Sequence, residues 1–415
     1  MIRRNITDQL LAALQDTPVV LLHGARQSGK TTLVRACVEA QLQAEYATFD
    51  NATVLASAAA DPQGFVSRSQ RPFVIDEVQR LPELPLAIKA SVDADRRPGR
   101  FLLTGSANVL QIPRLADALV GRIEILELWP FSQGEVDGLC DDFVAALFSD
   151  DPSAITACGR ADERPLLERL SLGGYPEAQA RGEGRRQAWF ASYVSTILQR
   201  DVRDLAQIEG LTAMPRLLAL LASRTGSLLN YADLARSVQI PQSTLKRYLA
   251  LLEQTFLVQR LPPWSTNLGL RLVKSPKLYL SDTGLLLHLL NVDQARLQAD
   301  PALLGHVVEN LVVTELRKQT AWSAVRASLY HLRTPTGVGV DVLLEGPGGD
   351  VVAIEIKASS TVASSDFRAL RRLAEVAGSR FVRGVVLYCG DDVLPFGQRL
   401  WAVPLQALWS RSVAG

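Results

Sequence analysis

Several things are scarce in these 415 residues, and each scarcity narrows the reading. The four cysteines, at 37, 140, 158 and 389, lie far apart with no C-x-x-C pair. That argues against a zinc ribbon and against a disulfide framework, so a reducing, cytoplasmic home is expected. No apolar run reaches the roughly 18 residues that would cross a bilayer, and no membrane partner is expected. Net charge is also nearly missing, since Lys+Arg 44 against Asp+Glu 43 leaves +1. Without a global basic field, any nucleic-acid contact must rest on a local patch. Lysine is rare, seven residues against 37 arginines, so a lysine in a motif says more than an arginine does. No internal repeat and no low-complexity tract occurs, apart from a short Ala-rich piece near Ala58.

What is present is ordinary globular composition, 47% hydrophobic and 21% charged, which predicts a chain folded throughout. Its length suggests roughly two to four domains, each able to bury its own core. At the start, Ile2, Ile6, Leu10 and Leu14 recur every four residues with Asp8 among them. This predicts an amphipathic helix packed on the first domain rather than a signal peptide. Short apolar runs follow at Val19 to Leu22, Tyr46 to Asp50, Phe73 to Asp76, Phe101 to Gly105 and Ile123 to Leu128, spaced widely enough for crossover helices. Strands buried on both faces of a parallel sheet read this way. The expected fold class is α/β, with a P-loop sheet carrying helices on both faces, then a helical middle, then a second α/β unit. The expected boundaries are 1–138, 139–215 (a linker and helical region), 216–295 and 296–415.

Gly24-Ala25-Arg26-Gln27-Ser28-Gly29-Lys30-Thr31 matches G-x-x-x-x-G-K-[ST] where mechanism requires it, straight after the Val19 to Leu22 strand and before a helix opening at Thr32. Glycines there let backbone N–H groups turn towards phosphates, Lys30 reaches the β/γ oxygens, and the Thr31 hydroxyl ligates Mg²⁺. Phe73-Val74-Ile75-Asp76-Glu77 is an apolar strand ending in two acids. Asp76 is the expected Mg²⁺ holder and Glu77 the residue that orients or activates the attacking water. The strand at Phe101 delivers Ser106 and Asn108 to the same sheet edge, as candidates for sensing the γ-phosphate. Arg122, after the glycine turn at Gly121, is a candidate for stabilising the transferring phosphoryl group, from the same or a neighbouring subunit.

Those motifs, with Asp76-Glu77-Val78-Gln79-Arg80-Leu81-Pro82, Leu128-Trp129-Pro130-Phe131-Ser132 and Ser275-Pro276-Lys277-Leu278-Tyr279-Leu280-Ser281-Asp282-Thr283-Gly284-Leu285, resemble the prokaryotic AAA-type P-loop ATPases that carry the C-terminal domain of unknown function 4143. The likeness covers nearly the whole chain. It implies ATP and Mg²⁺ as ligands and leaves the target open.

Two later segments carry their own chemistry. Tyr231 to Ala235 followed by Val238 to Leu249 has the layout of a helix-turn-helix in a winged-helix region. Leu245, Leu249, Leu252 and Phe256 fall on one face, leaving Lys246 and Arg247 near the exposed start of the second helix. Lys274 and Lys277 are read as wing lysines facing phosphate. DNA contact is one reading of this region, and a protein contact or a rigid spacer is the other. Further on, Val340 to Glu345, a Gly-Pro-Gly-Gly-Asp turn and Val351 to Lys357 read as a hairpin in which opposed positions sum to 696, so Asp341 faces Glu355. This D…E-x-K pattern is similar to the PD-(D/E)xK nuclease fold, although Gly339-Val340 replace the acid that often precedes the Asp. Asp341 and Glu355, with Glu309 on the preceding helix, are the expected divalent-metal ligands on the non-core face, and Lys357 the water-orienting or charge-stabilising residue of an active nuclease. A scaffold without activity is the other reading. The functional expectation is an ATPase, with DNA and further copies of the chain as candidate partners, and a nucleotide-dependent switch of little turnover is its rival.

Overall fold

The computed structural model describes residues 2–40, 42–106, 119–151, 153–156, 164–202, 211–265, 275–333 and 339–409. Five parallel strands, β1 (Val19–Gly24), β2 (Glu45–Thr48), β3 (Phe73–Asp76), β4 (Phe101–Gly105) and β5 (Ile123–Leu128), form one sheet in the order β2-β3-β4-β1-β5. Alternation explains why the inner strands β1, β3 and β4 are apolar nearly throughout. Strand β5, expected to be buried on both faces, is instead an edge strand that carries Glu124 and Glu127 and exposes Ile125. Val19, Leu21, Ile75 and Leu103 enter one core, while Val20, Leu22, Val74 and Leu102 enter the other. Helices α1 (Thr7–Asp16) and α2 (Lys30–Ala40) cover the second face through Leu10, Leu14, Leu33 and Val34. On the first face lie α3 (Ala52–Ala60), α4 (Pro62–Ser67) and α5 (Leu84–Ala94), with Ala58, Phe65, Leu84 and Ile88 turned inward. The amphipathic start of the chain is thus α1, which buries Leu10 and Leu14 and is preceded by buried Ile6, but the helix begins only at Thr7 and leaves Ile2 outside it and exposed.

After β5 the chain turns through α6 (Gln133–Val136), α7 (Phe143–Phe148) and α8 (Leu166–Leu172) into α9 (Glu183–Thr196). Three helices follow, α10 (Met214–Ser223), α11 (Tyr231–Val238) and α12 (Gln242–Gln254), with an antiparallel pair, β6 (Val258–Leu261) and β7 (Lys277–Leu280). Leu245, Leu249 and Leu252 are buried on α12 as the spacing predicts. Phe256 is buried too, but it stands beyond the helix end in a left-handed conformation, φ 58°.

Helices α13 (Thr283–Leu290) and α14 (Pro301–Gln319) lead into a six-stranded mixed sheet. Its order is β12-β13-β11-β10-β9-β8, from β8 (Ser328–Arg333), β9 (Gly339–Glu345), β10 (Val351–Lys357), β11 (Phe381–Tyr388), β12 (Leu394–Gly397) and β13 (Leu400–Pro404). The hairpin register runs from Val351 opposite Glu345 to Ile354 opposite Val342, as the 696 rule requires. Its second face differs from expectation. Val340, Leu343, Val351 and Ala353 are buried beneath α15 (Arg368–Ala377), so the sheet has helices on both sides and no solvent face at its centre. One core cluster runs from Trp129 and Phe143 through the middle helices to Leu408 in the last unit. Among the described residues, no helix is long and apolar enough to cross a membrane.

Candidate functional site

The carboxyl edge of the first sheet gathers the residues that the motifs singled out. Gly24 ends β1 where a Cβ would stand 2.1 Å from the Leu128 carbonyl oxygen of β5, so a side chain there would wedge the strands apart. Gly29 adopts φ +96°, a left-handed turn that aims the chain into α2. Lys30, almost fully buried, folds its ammonium over the loop and donates to the Gly24 and Ala25 carbonyls at 3.0 and 2.8 Å. The Thr31 hydroxyl lies 3.1 and 3.2 Å from the two Asp76 oxygens. Asp76 also accepts from the Tyr46 hydroxyl at 2.9 Å and from Thr104. Burial pushes the Tyr46 phenol up, which keeps it a proton donor to that carboxylate. Asp76 is only 1% exposed, and among the described residues no basic side chain forms an ion pair with it. Ser28 places a buried hydroxyl without a hydrogen-bond partner in the same loop. A buried acid met only by hydroxyls, beside an orphaned hydroxyl, fits a bound divalent cation and phosphate.

Glu77 stands at φ 60°, ψ 44°, a conformation that costs a non-glycine residue about 1 kcal/mol. Its backbone N–H donates to the Thr104 hydroxyl at 3.1 Å, which holds the strained residue in place. Gln79 bridges the Glu77 carboxylate to the Ser106 hydroxyl, 3.1 Å from the latter. Ser106 therefore reaches the site through Gln79, while Asn108 lies outside the described residues. Tyr46 and Thr104 are supports that the motifs did not reveal, because only the sheet order brings them to Asp76 and Glu77, whereas Gln79 stands two residues past Glu77 in a motif stretch that gave it no role.

Two recesses meet at the loop, with Gly29 and Thr32 lining both. One, of about 630 Å³, takes in Arg26, Gln27, Lys30, Thr31 and Glu77 and is closed by Arg181, Trp189 and Tyr193 of the middle region. The other, of about 450 Å³, is walled by Ile2, Thr7, Leu33, Cys37, Phe131 and Pro176. Arg4 braces the loop between them, donating to the Ser28 carbonyl at 2.7 Å, to Glu135 at 3.0 Å and to the Trp129 carbonyl at 2.7 Å.

Arg122 requires a correction. It immediately precedes β5, and because β5 runs parallel to β1 the residue sits at the opposite edge of the sheet, where its carbonyl bonds the Val19 N–H. There its guanidinium pairs with Asp93 at 2.6 Å. A role at the phosphates of its own chain is excluded by the length of a strand.

The C-terminal carboxylates also depart from expectation. Glu309, Asp341 and Glu355 do approach one another, but the ammonium of Lys277 stands among them, 2.7 Å from Glu309 and 3.1 Å from Asp341. Tyr279 donates to the same Glu309 oxygen at 2.7 Å, and the Ile356 N–H donates to Asp341 at 3.2 Å. Among the described residues, no group of three acids, histidines or cysteines could hold a metal ion, so the expected metal site at Asp341, Glu355 and Glu309 is replaced by an internal cation. Lys277 is accordingly no phosphate-facing wing residue. Burial lowers its pKa, yet Glu309 and Asp341 outweigh this and the net shift is upward. Burial and then Asp341 push the Glu355 carboxyl up to about 8, while Lys357 and Lys277 pull it down. Lys357 lies 3.7 Å from both Glu355 and Asp366. Lys274 lies outside the described residues. Lys246 and Arg247 are exposed on α12, with the Lys246 ammonium 5.5 Å from the Tyr231 ring centre.

Three family models match in succession: an AAA domain over residues 16–137, a domain of unknown function (DUF8612) over 163–296 and a domain of unknown function (DUF4143) over 304–408. An uncharacterized protein of Mycobacterium tuberculosis is 33% identical over 406 residues, spanning 97% of this chain and 83% of that protein. An uncharacterized protein of Haemophilus influenzae is 24% identical over 341 residues, or 76% of this chain and 78% of that protein. Among solved structures, the Walker-type ATPase paby2304 of Pyrococcus abyssi aligns with 70% of this chain and 96% of its own, at 17% identity and a TM-score of 0.41. A single-residue variant of RuvB from Thermotoga maritima aligns with 62% of this chain and 89% of its own, at 19% identity and a TM-score of 0.31.

Proposed function

The chain belongs to the family in which an AAA domain precedes the domain of unknown function DUF4143, and on that footing we propose that it binds ATP with Mg²⁺ and hydrolyses it. The observation that carries this is the convergence of Lys30, Thr31, Asp76 and Glu77 at one sheet edge, where Lys30, Thr31 and Glu77 line a cavity of about 630 Å³, a size suited to a bound small molecule, and Asp76 lies behind Thr31. Thr31 and Asp76 would hold Mg²⁺, which supplies charge neutralisation at the phosphates. Backbone N–H groups of Gly24 to Thr32, at the start of α2, bind phosphate oxygens, and Lys30 leaves its two carbonyl partners to reach them. Glu77, aimed by Gln79, accepts a hydrogen bond from the attacking water and orients it. The recess beside Phe131 and Leu33 takes the base, since Ile2, Leu33, Phe131 and Pro176 offer packing surface while Arg3, Arg4 and Asp8 supply polar groups at its border. Arg26 lines the Glu77 side, as does Arg181, whose guanidinium is paired with Glu177 of the same wall.

Coupling to DNA is the finer part of the proposal. The helices α11 and α12 with the β6–β7 pair have the element order of a winged helix, and exposed Lys246 and Arg247 favour a nucleic-acid contact. The deciding experiment is Mg²⁺-dependent ATP hydrolysis measured with and without duplex DNA. Turnover stimulated by DNA supports the full reading. Binding without turnover, equal in wild type and a Glu77→Gln variant, would mean a nucleotide switch instead.

A further inference from the structure

Helix α15 covers the C-terminal sheet with Leu370 and Leu373, and its outer side is strongly cationic. Between residues 364 and 383 stand five arginines and two acids, in a chain that is otherwise close to neutral. One of the five, Arg383, is buried and bonded to the Ser149 carbonyl. The others border the surface, and Ser364, Ser365, Arg368, Arg371, Arg372 and Glu375 line an open groove of about 470 Å³. Arg371 is held in that groove by the Ser364 carbonyl at 2.8 Å and the Ser364 hydroxyl at 3.1 Å. Arg372 meets Glu375 at 2.9 Å, in a pair exposed on both sides, and such a pair opens readily in water.

We propose that this arginine groove on α15 is a docking surface for the sugar-phosphate backbone of a nucleic acid. Charge complementarity selects the partner. Arg368 and Arg372, four residues apart, share one side of α15, and Arg371 borders the same groove where it meets Ser364, with two serine hydroxyls as neutral donors beside them. Forked guanidinium groups and hydroxyls are the donors that phosphate oxygens take from proteins. A lipid surface would need bulky apolar side chains beside the charges, and on the described part of α15 only Val376 is large, apolar and exposed. Position adds a reason. Asp366, in the turn that leads into α15, lies 3.7 Å from Lys357, so a strand lying in the groove passes the Glu355 and Lys357 end of β10. This surface is separate from Lys246 and Arg247 of α12 and does not depend on ATP turnover.

The test is fluorescence anisotropy of the full chain with a labelled duplex and a labelled single strand across a potassium chloride series, using wild type, Arg368→Glu/Arg372→Glu and Lys246→Ala/Arg247→Ala. Both arginines are exposed and the buried leucines are untouched, so melting temperature and DNA-free ATP hydrolysis should match wild type. The expected result is a tenfold or greater loss of affinity in the arginine variant, with the log–log salt slope smaller by about 2. Unchanged affinity and slope would overturn the proposal. So would binding lost only in the Lys246/Arg247 variant, or a wild type that ignores both nucleic acids yet binds phosphatidylglycerol vesicles through the same arginines.

Discussion

Lys30 and Glu77 divide the demands that ATP makes on the loop, and their surroundings say how each should fail. Lys30 is the one lysine in the phosphate motif, and its ammonium is already drawn to two carbonyls of the loop. With its replacement by alanine, calorimetric titration should show ATP affinity falling by at least tenfold while the fold survives, because the neutral carbonyls left behind can turn to water. Glu77 touches no part of the loop, so Glu77→Gln should bind ATP as wild type does and hydrolyse it roughly 10²- to 10⁴-fold more slowly, the usual worth of a positioned base. A phosphate-release assay decides it: near wild-type turnover would reduce Glu77 to an acid at the end of a strand. These two residues were legible because a contiguous motif carries its own geometry. Arg122 misled because its chain position beside a glycine turn says nothing of which sheet edge it occupies until strand direction is considered. A residue that precedes a parallel strand lies opposite the edge where those strands end.

Among the elements, the hairpin of β9 and β10 shows both the reach and the limit of sequence. Its register follows from side-chain alternation and turn length, both local, and the observed pairs agree. Lys277 was beyond such reasoning, since it arrives from β7, 64 residues before Asp341, and only the packing of the middle region against the sheet brings it in. The same holds for α15, whose burial of Leu343 and Ala353 gave the hairpin a second core face. Lys277→Met should therefore cost about 3 kcal/mol in urea unfolding, because Glu309 and Asp341 lose their shared cation. A triple variant that adds Glu309→Gln and Asp341→Asn should recover much of this, and no recovery would mean that Lys277 acts by packing alone. Glu355 adds a pH dependence. Its carboxyl titrates near 4.5 when unfolded and at about 8 when folded, where Asp341, Glu309, Lys277 and Lys357 surround it. Between those values the folded state keeps a proton that the unfolded state has released, so this contribution, complete below pH 4.5, is lost as pH rises towards 8. Melting temperatures measured from about pH 5 to about pH 9 should fall less steeply in Glu355→Gln than in wild type, and parallel curves would show that the group does not carry the effect.

At the scale of the whole molecule, the cores divide the chain differently from its motifs. The two cores around the β1–β5 sheet draw on residues up to Leu128 together with Ala321 and Trp322 at the rim, whereas one cluster joins Trp129, the middle helices and one face of the last sheet. Middle and C-terminal regions should therefore unfold as one cooperative unit and the ATPase sheet as another, giving two calorimetric transitions without nucleotide. Arg4 and Asn5 tie the ATPase sheet to Glu135 and Asp141, and further links lie at the phosphate loop. Tyr193 of α9 donates to the Arg26 carbonyl at 3.3 Å, the His23 ring of β1 lies 5.4 Å from that of Phe256, and Arg181 and Trp189 wall the cavity beside Glu77. A ligand held on both sides of that cavity binds only when both units are folded, so its free energy stabilises them jointly, by about 2.7 kcal/mol at a hundred times its dissociation constant. Saturating Mg²⁺-ATP, in the slow Glu77→Gln background, should thus draw the two transitions together, and Lys30→Ala should abolish the effect. If ATP raises the first transition alone, the nucleotide is held by the sheet without the middle helices. A third transition would show that the core running from Trp129 to Leu408 does not unfold as one.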